Sequence, residues 1–304
     1  MDLKESKING ILLVNKPKGI TSRDVVNIIS KRLMTKKVGH TGTLDPIATG
    51  VMVLCVGYAT KLTELLTSSE KEYVATVKLG ILTDTLDNTG EVLQKEFVSF
   101  KENEINEVLS SFVGFYNQEV PIYSAVKVNG KKLYEYAREN KEVKLPSRMV
   151  EIKEIKLCSK VENKNGYTTF KFRCLVSKGT YIRSLIRDIA KKLNTIGIMT
   201  DLIRVGQGNF KIENCVNIDL ITSKNLIKIQ EVLNIPKIEL DNSLDKKVLN
   251  GAKINNIYKE NMVLFTKNGE PVAIYKKDNE ILRVYKMLKG GIYDIGNNGS
   301  GNGK

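Results

Sequence analysis

The spacing of apolar residues along the chain switches between the periods of strands and helices, so both kinds of element are predicted. Residues 9–15 (NGILLVN) form a short apolar run that is typical of a buried strand. In KEYVATVKLG (71–80), apolar side chains recur at every second position from Tyr73 to Leu79, which is the period of a strand with one buried face. The run VMVLCVG (51–57) fits either a core strand or the start of a helix.

Two segments have helical spacing. Ser22 is a candidate N-cap for a helix through VVNIISKRL (25–33), whose apolar residues share one face. The alternating strand TTFKFRCLVSKGT (168–180) is followed by YIRSLIRDIAKKL (181–193), which carries a continuous apolar stripe. Arg183 lies off that stripe, in the first turn of the second helix.

The pattern changes again near IPKIEL (235–240). From Asp245 to about Lys289, short apolar runs alternate with turn signals such as KNGEP and KKDNE, which predicts a small all-β module. The final GNNGSGNGK is expected to be a flexible tail. We therefore predict a first domain at 1–235, an all-β module at 236–290 and a tail at 291–304.

The charge balance narrows the possible partners. Lysine and arginine exceed aspartate and glutamate by 48 to 34, a formal net charge of +14. Such a surplus favours a polyanion, with nucleic acid before an anionic membrane, although a solvated lysine-rich surface gives the same balance. The longest apolar run (50–59) is too short to span a bilayer, and the N-terminus lacks the apolar core of a signal peptide. We expect a soluble, cytoplasmic protein.

The chain has few of the residues that metal sites and histidine-based catalytic triads require. The four cysteines include no CxxC pair and are expected to be buried free thiols. With a single histidine they leave few ligands for a zinc site, and a histidine-based triad would have to use that histidine. The cysteines are Cys55, Cys158, Cys174 and Cys215, and the histidine is His40.

The loop VGHTGTLDPIATG (38–50) holds one carboxylate, Asp45, between Leu44 and Pro46. An aspartate before proline in a glycine-rich loop is commonly a turn former. Alternatively, its two neighbours stiffen the loop and partly desolvate the carboxylate, which could then serve as a nucleophile or base.

Arg183 and Tyr73 also have both an ordinary and a functional interpretation. Arginine is most often a surface residue, which is the ordinary interpretation of Arg183. However, the junction of a strand and a helix is where α/β proteins often bind ligands. An arginine beside a buried aspartate would favour its ionised form. Tyr73 fits a core or edge aromatic.

Together, five segments resemble the TruB family of tRNA pseudouridine-55 synthases. They are GILLVNKPKGITS, GHTGTLDPIATG, KEYVATVKLGILTDTLDNTGE, PIYSAVKVNGKKLYEYAR and SKGTYIRSLIRDIAKKL, in family order between about residues 9 and 210. The all-β module is similar to the RNA-binding PUA domain of that family. The resemblance implies an α+β fold with a mixed central sheet flanked by helices, followed by a small β-barrel-like PUA module.

The resemblance also implies the reaction. The C1′–N1 bond of uridine 55 in the tRNA T-arm is broken, the uracil rotates, and it is rejoined through C5, which needs no redox cofactor, ATP or metal. Asp45 corresponds to the catalytic aspartate, which either adds to the nucleotide or first removes a ribose proton. Arg183 corresponds to its ion-pair partner, and Tyr73 to the tyrosine that stacks on the base and assists loss of the C5 proton. His40, Tyr181 and Leu202 match substrate-binding positions.

RNA binding is implied for the segment 121–150, in which aromatic and basic residues are interleaved. It resembles an insert that closes on the T-arm, where its cations would neutralise phosphates. The target base must leave its stack, and aromatic stacking in the pocket offsets part of that cost. The pair Lys16–Pro17 matches a supporting KP motif. We expect a monomer that binds tRNA without a protein partner or a membrane. The candidate phosphate-binding residues are Lys127, Lys131, Lys132, Arg138 and Arg148.

One segment departs from the family pattern. The family commonly has LRRTRSG where this chain has LIRVGQG (202–208). Leu202 and Arg204 are retained, but Ile203 and Gly206 stand at two usual arginine positions. The change affects phosphate or structural contacts, not the reaction type.

Three other functions fit parts of the sequence. A non-catalytic RNA-binding or tRNA-folding protein on the same scaffold would ignore Asp45. A hydrolase would need two carboxylates about 5 to 10 Å apart, for which Asp84 and Asp87 are the nearby candidates. A guide-RNA-dependent pseudouridine synthase shares related motifs, but such proteins usually carry extra flanking segments.

Overall fold

Two large β-sheets and two two-stranded sheets organise residues 8–288, the part of the chain that the computed structural model describes. The strands are β1 (Gly10–Lys16), β2 (Val38–His40), β3 (Thr49–Val56), β4 (Lys71–Leu79), β5 (Ile81–Thr83), β6 (Val92–Lys95), β7 (Gly114–Glu119), β8 (Lys127–Val128), β9 (Lys131–Lys132), β10 (Ser147–Leu157), β11 (Glu162–Lys164), β12 (Tyr167–Val176), β13 (Gly197–Gln207), β14 (Phe210–Lys211), β15 (Val216–Asn217), β16 (Lys237–Glu239), β17 (Ile254–Asn255), β18 (Met262–Lys267), β19 (Glu270–Asp278) and β20 (Ile281–Met287). The α-helices are α1 (Ser22–Arg32), α2 (Thr63–Thr67), α3 (Glu102–Ser110), α4 (Leu133–Arg138), α5 (Ile182–Lys192), α6 (Ile229–Val232) and α7 (Asn242–Leu249). The two-stranded sheets are β5–β6 and β8–β9.

The larger sheet is mixed, with the strand order β15-β1-β3-β13-β4-β12-β10-β7 along its main path. β13 pairs parallel with β3 and antiparallel with β4, so it joins the two halves of the sheet. The predicted alternation in β4 is confirmed, because Tyr73, Ala75, Val77 and Leu79 are all buried on one face. The ambiguous apolar run at 51–57 lies almost entirely in the core strand β3.

The N-cap of helix α1 lies one residue before the predicted N-cap, Ser22. Thr21, not Ser22, is the N-cap, since its hydroxyl accepts a hydrogen bond from the Asp24 amide at 3.1 Å and the Asp24 carboxylate accepts one from the Thr21 amide at 2.9 Å. The Ser22 side chain is buried and bonds to Leu44 instead, donating to its carbonyl at 3.0 Å and accepting from its amide at 2.8 Å. Ser22 therefore ties α1 to the loop that carries Asp45.

Helix α5 follows the predicted amphipathic pattern. The stripe residues Ile182, Leu185, Ile186 and Ile189 are buried in the core cluster that includes the inward face of β4. Burying such a side chain stabilises the fold by roughly 1.5–3 kcal/mol. This packing fixes the N-terminal turn of α5, and with it Arg183, against the centre of the sheet.

The C-terminal module is a five-stranded sheet of order β16-β18-β19-β20-β17 with a core of its own. The expectation of strands alone from Asp245 onward is wrong, because α7 covers that position. Its N-cap is Asp241, whose carboxylate accepts hydrogen bonds from the amides of Ser243 and Leu244 at 3.0 Å each. Leu264 and Ile274 of the module share a core with Ile11 of β1. The predicted tail, 291–304, lies outside the described residues.

The expectation of four buried thiols is correct for two cysteines and wrong for two. Cys55 and Cys174 are buried within β3 and β12. Cys158 is exposed and Cys215 half-buried, because each lies beside the end of a strand rather than on its inward face. Within residues 8–288, no helix is long and apolar enough to cross a membrane.

Candidate active site

A cleft of about 690 Å³ opens where the Asp45 loop, β4, β13 and the N-terminus of α5 meet. Its lining includes five residues that the sequence singles out for the site, which are Asp45, Tyr73, Tyr181, Arg183 and Leu202. These residues are far apart in the chain, and the sheet order brings them together.

Asp45 and Arg183 form a two-point ion pair in this cleft. Arg183 Nε lies 2.9 Å from Asp45 Oδ2, and Arg183 Nη2 donates to Asp45 Oδ1 at 3.1 Å. The arginine side chain is 6% exposed, whereas that of the aspartate is 34% exposed. The carboxylate therefore faces the cleft while the guanidinium supports it from the protein interior.

The same guanidinium also holds two backbone segments. It donates to the carbonyl oxygens of Thr85 and Tyr123, each at 3.0 Å. Thr85 belongs to the polar loop after β5, and Tyr123 precedes the β8–β9 hairpin. Because a guanidinium offers five donors in a fixed fork, Arg183 can set the relative positions of all three segments.

Lys16 supports the Asp45 loop from below. Its side chain is fully buried, and its ammonium donates to the carbonyl oxygens of Ala48 at 2.7 Å, Pro17 at 3.0 Å and Pro46 at 3.3 Å. Burial lowers the pKa of Lys16 to about 8, even though the charge of Asp45 acts in the opposite direction. The structural support predicted for the KP pair is thus provided by the lysine.

Tyr73 and Leu202 form apolar walls of the cleft on adjacent strands. Tyr73 is opposite Arg204 and Leu202 is opposite Ala75 in the β4–β13 register. Both side chains are buried, at 6% and 5% exposure, apart from the edges that face the cleft. Such a surface suits the face of a flat, partly apolar ring.

Tyr181 closes another side of the cleft. It is the N-cap residue of α5, and the Arg148 guanidinium lies over its ring at 5.3 Å from the centroid. Arg148 is on β10 of the central sheet, so the predicted insert merges with the sheet at Ser147.

His40 lies apart from the cleft lining. It is on β2, opposite Leu54 of β3, and its Nδ1 is buried without a hydrogen-bond partner among the described residues. Burial, followed by the charges of Arg204 and Arg23, lowers the pKa of His40. A substrate contact by His40 remains a prediction.

The basic segment folds as the β8–β9 hairpin followed by α4. Lys131 forms an ion pair with Glu139, and Lys132 donates to the Tyr134 hydroxyl at 3.2 Å. The Arg138 guanidinium lies 5.3 Å from the centre of the Tyr134 ring. Arg138 and Tyr134 line the cleft, whereas Lys127, Lys131 and Lys132 lie outside its lining.

Several residues of the site carried no role in the sequence analysis. Arg204 is 1% exposed and donates to the carbonyls of Val51 at 2.6 Å and Gly42 at 3.1 Å, which joins β13 to both ends of the Asp45 loop region. Lys71 donates to two carbonyls at the end of α2, and burial lowers its pKa to about 8. Neither position stands out by residue type, because buried cations resemble surface ones in a lysine-rich chain.

Asp84 and Asp87, the second carboxylates of the hydrolase alternative, are both engaged. Asp87 Oδ1 accepts hydrogen bonds from the hydroxyls of Thr85 at 2.8 Å and Thr89 at 2.5 Å. Asp84 accepts one from the Tyr123 hydroxyl at 2.7 Å. These bonds shape the loop beside the cleft, which favours a structural role for both carboxylates.

The chain is similar to known proteins over most of its length. Residues 30–182 match the family model described as TruB family pseudouridylate synthase (N terminal domain). The curated tRNA pseudouridine synthase B of Mesoplasma florum is 41% identical over 290 residues, which cover 93% of this chain and 98% of the relative. That of Bacillus subtilis is 41% identical over 286 residues, covering 88% and 93%. A chain in the crystal structure of a Cbf5-Nop10-Gar1 complex superposes with a TM-score of 0.67 at 25% identity, covering 92% of this chain and 85% of the other.

The fold and the site define a pseudouridine synthase, an isomerase that acts on uridine within RNA. Within that class, the chain belongs to the TruB family of pseudouridylate synthases. The predicted α+β fold, with a mixed central sheet, flanking helices and a small PUA-like C-terminal module, is confirmed.

Proposed function

We propose that this enzyme converts uridine 55 in the T-arm of tRNA to pseudouridine, with Asp45 as its catalytic carboxylate. The observation that carries the proposal is the two-point ion pair of Asp45 and Arg183 in a cleft walled by Tyr73 and Leu202. The names of the Mesoplasma and Bacillus relatives, tRNA pseudouridine synthase B, support tRNA as the substrate.

The reaction balances within the substrate. The C1′–N1 bond breaks, a C1′–C5 bond forms, the proton on C5 leaves, and N1 gains a proton. Asp45 either adds to the nucleotide or removes a ribose proton first, and both routes begin at its cleft-facing carboxylate. Arg183 holds that carboxylate in one orientation, so little reorganisation is needed when charge develops in the transition state.

The cleft accepts a base that has left its stack. Flipping typically costs a few kcal/mol, which stacking on an aromatic side chain partly offsets. Tyr73 supplies the stacking surface and is placed to assist loss of the C5 proton, while Tyr181 and Leu202 bound the uracil on other sides. His40 contacts the RNA outside the cleft.

Two parts of the chain bind the rest of the RNA. The basic segment 121–150 contacts T-arm phosphates through Lys127, Lys131, Lys132, Arg138 and Arg148. The module at 236–290 serves as a second RNA-binding surface beside the catalytic domain at 1–235. The enzyme works as a monomer, needs no protein partner, and recognises the folded shape of the T-arm.

The test uses the purified protein and an unmodified tRNA transcript, with no added cofactor. Pseudouridine is mapped at single-nucleotide resolution, and binding is measured in parallel. We expect product at position 55 for the wild type and for Asp219→Asn, a matched change at an exposed aspartate. Asp45→Asn should form no product while its Kd for tRNA stays within about twofold of the wild type.

Other results would contradict the proposal in distinguishable ways. Tight tRNA binding without pseudouridine from the wild type supports the RNA-binding alternative. Release of free uracil supports the hydrolase alternative, and full activity of Asp45→Asn removes the aspartate from the chemistry.

A further inference from the structure

Gln118 has a fully buried side-chain amide that hydrogen-bonds to the backbone of Tyr181, a residue of the cleft lining. Its side chain lies on β7, the edge strand of the central sheet, and is 0% exposed. Gln118 Oε1 accepts a hydrogen bond from the Tyr181 amide at 2.8 Å, and Gln118 Nε2 donates to the Tyr181 carbonyl at 3.1 Å. Both polar ends of one side chain are thus used on a single residue.

The backbone position of Tyr181 affects the geometry of the site. It is the N-cap of α5, but its own side chain makes no capping hydrogen bond. Its ring lines the cleft, and Arg183 follows two residues later in the first helical turn. A shift of the Tyr181 backbone would therefore move a wall of the cleft and the partner of Asp45 together.

The neighbouring residue of β7 holds the next part of the same helix. The Glu119 carbonyl accepts a hydrogen bond from the Ser184 hydroxyl at 2.8 Å, and the Glu119 carboxylate pairs with Arg187 at 2.9 Å. Residues 118 and 119 thereby hold the first two turns of α5 from the sheet edge.

The orientation of the Gln118 amide is itself fixed. Its Nε2 also donates to the Tyr116 hydroxyl at 2.5 Å, and Tyr116 lies on the same strand. Burial and the nearby Asp188 carboxylate raise the pKa of Tyr116, so the hydroxyl stays protonated. A buried amide is costly unless it is hydrogen-bonded, and the three hydrogen bonds of Gln118 to Tyr181 and Tyr116 offset that cost. The buried polar groups of Gln118 thus serve to fix the position of the Tyr181 backbone.

We propose that Gln118 is a positioning residue of the pseudouridine synthase reaction, which acts by fixing the Tyr181 backbone so that Tyr181 and Arg183 face the uridine and Asp45 correctly. The inference rests on the proposed roles of Asp45 and Arg183. It predicts an effect on the chemical step rather than on RNA binding. The Gln118 side chain is outside the cleft lining and hydrogen-bonds Tyr116 and Tyr181, while only its backbone is paired with Arg148 of the basic segment.

The test compares Gln118→Met with Thr168→Val. Methionine keeps the length of glutamine and loses its hydrogen bonds. Thr168 is a fully buried polar residue on β12, and its hydroxyl likewise accepts a hydrogen bond from a backbone amide, that of Phe100, at 3.2 Å. Unlike Tyr181, to which Gln118 bonds, neither Thr168 nor Phe100 lines the cleft. Single-turnover rates at saturating enzyme, the Kd for the tRNA transcript and thermal unfolding are measured for both variants.

For Gln118→Met we expect a single-turnover rate at least about tenfold below the wild type, because displacements of about 1 Å at a reacting centre can cost far more than that. Its Kd should stay within about twofold of the wild type. Thr168→Val should lower the unfolding temperature while reacting at the wild-type rate. A folded Gln118→Met protein with the wild-type rate overturns the proposal, as does an equal rate loss in Thr168→Val.

Tyr116→Phe keeps the test decisive if Gln118→Met does not fold. This variant removes the hydroxyl that orients the amide and that also bonds to the Asp188 carboxylate of α5, and we expect a rate loss of about threefold with an unchanged Kd. A wild-type rate for Tyr116→Phe, with Gln118→Met unfolded, also overturns the proposal. The wild type serves as the reference for the proposed function, since its failure to form pseudouridine at all would reject that function and not this inference alone.

Discussion

Arg183 contacts both oxygens of the Asp45 carboxylate, through Nε at 2.9 Å and through Nη2 at 3.1 Å. Two further donors of the guanidinium are directed at the carbonyls of Thr85 and Tyr123. A lysine at this position would keep the charge, but its single ammonium cannot reproduce the planar fork.

We therefore expect Arg183→Lys to lower the single-turnover rate by about a hundredfold, the scale of losing one oriented electrostatic contact in an active site. Arg173→Lys is the matched control. Arg173 forms an ion pair with Glu72 at 2.7 Å, but its side chain is 56% exposed, so its replacement should leave the rate unchanged. A normal rate for Arg183→Lys would contradict the orienting role assigned to the guanidinium.

Gly50 is a position where even one methyl group should disturb the sheet. It has a φ of +99°, and a Cβ atom there would lie 2.3 Å from the Arg204 carbonyl oxygen on the paired strand β13. Gly114 has a similar φ of +110° but no atom within 4 Å of a built Cβ. Urea unfolding should show a loss of about 1 kcal/mol for Gly114→Ala from backbone strain alone, and at least about 2 kcal/mol more for Gly50→Ala from the clash. Equal losses would show that the strands separate without cost.

Lys127 and Lys131 should differ in their contribution to RNA binding. Lys127 is exposed, whereas Lys131 is already paired with Glu139 and lies 5.1 Å from the centre of the Tyr136 ring. If Lys127 neutralises one phosphate, Lys127→Ala should reduce the slope of log K against log salt by about 0.7–0.9. Lys131→Ala should reduce it less, because Glu139 already neutralises the ammonium. The same slope for all three proteins would exclude Lys127 from the interface.

Lys16 should leave a signature in the pH dependence of stability. Its pKa is lowered from 10.5 to about 8 in the folded protein, so between these values the unfolded chain binds more protons than the folded one. The free energy of unfolding therefore gains a contribution that rises with pH across this window. Lys16→Met lacks that contribution, so the wild type should gain stability relative to the variant from pH 8 to 10.5. Denaturant unfolding at several pH values measures the free energy of unfolding of both proteins. If the difference between them does not change with pH, Lys16 does not titrate in this range in the folded protein.

The sequence predicts most of the framework of this fold because its signals are local. The alternation in β4 and the stripe of α5 each require one buried face, and both elements form where the pattern indicates. The N-cap of α1 lies one residue before the predicted one. Thr21 and Ser22 are equally suited to an N-cap by residue type, and the Ser22 hydroxyl bonds instead to Leu44 in a distant loop. Likewise, the sequence pattern does not predict α7, because its eight residues have too few apolar positions to outweigh the turn signals around them.

The sequence singled out the ion pair at the centre of the cleft but not the side chains that support it. The motifs point to Asp45 and Arg183, and the sheet order brings them into contact. Lys16 was expected only as general support, and Arg204 and Gln118 had no assigned role. Their function depends on which backbone groups they reach, a property of tertiary structure that residue type alone does not encode.

Lys16 and Arg204 hold the Asp45 loop through its main-chain oxygens and not through its side chains. For laboratory evolution this separates two sets of positions. Side chains along the loop rim can be randomised to alter base preference while the anchoring oxygens remain where they are. Changes to the two interior cations would displace the Asp45 carboxylate from beneath, without altering the Asp45 side chain itself.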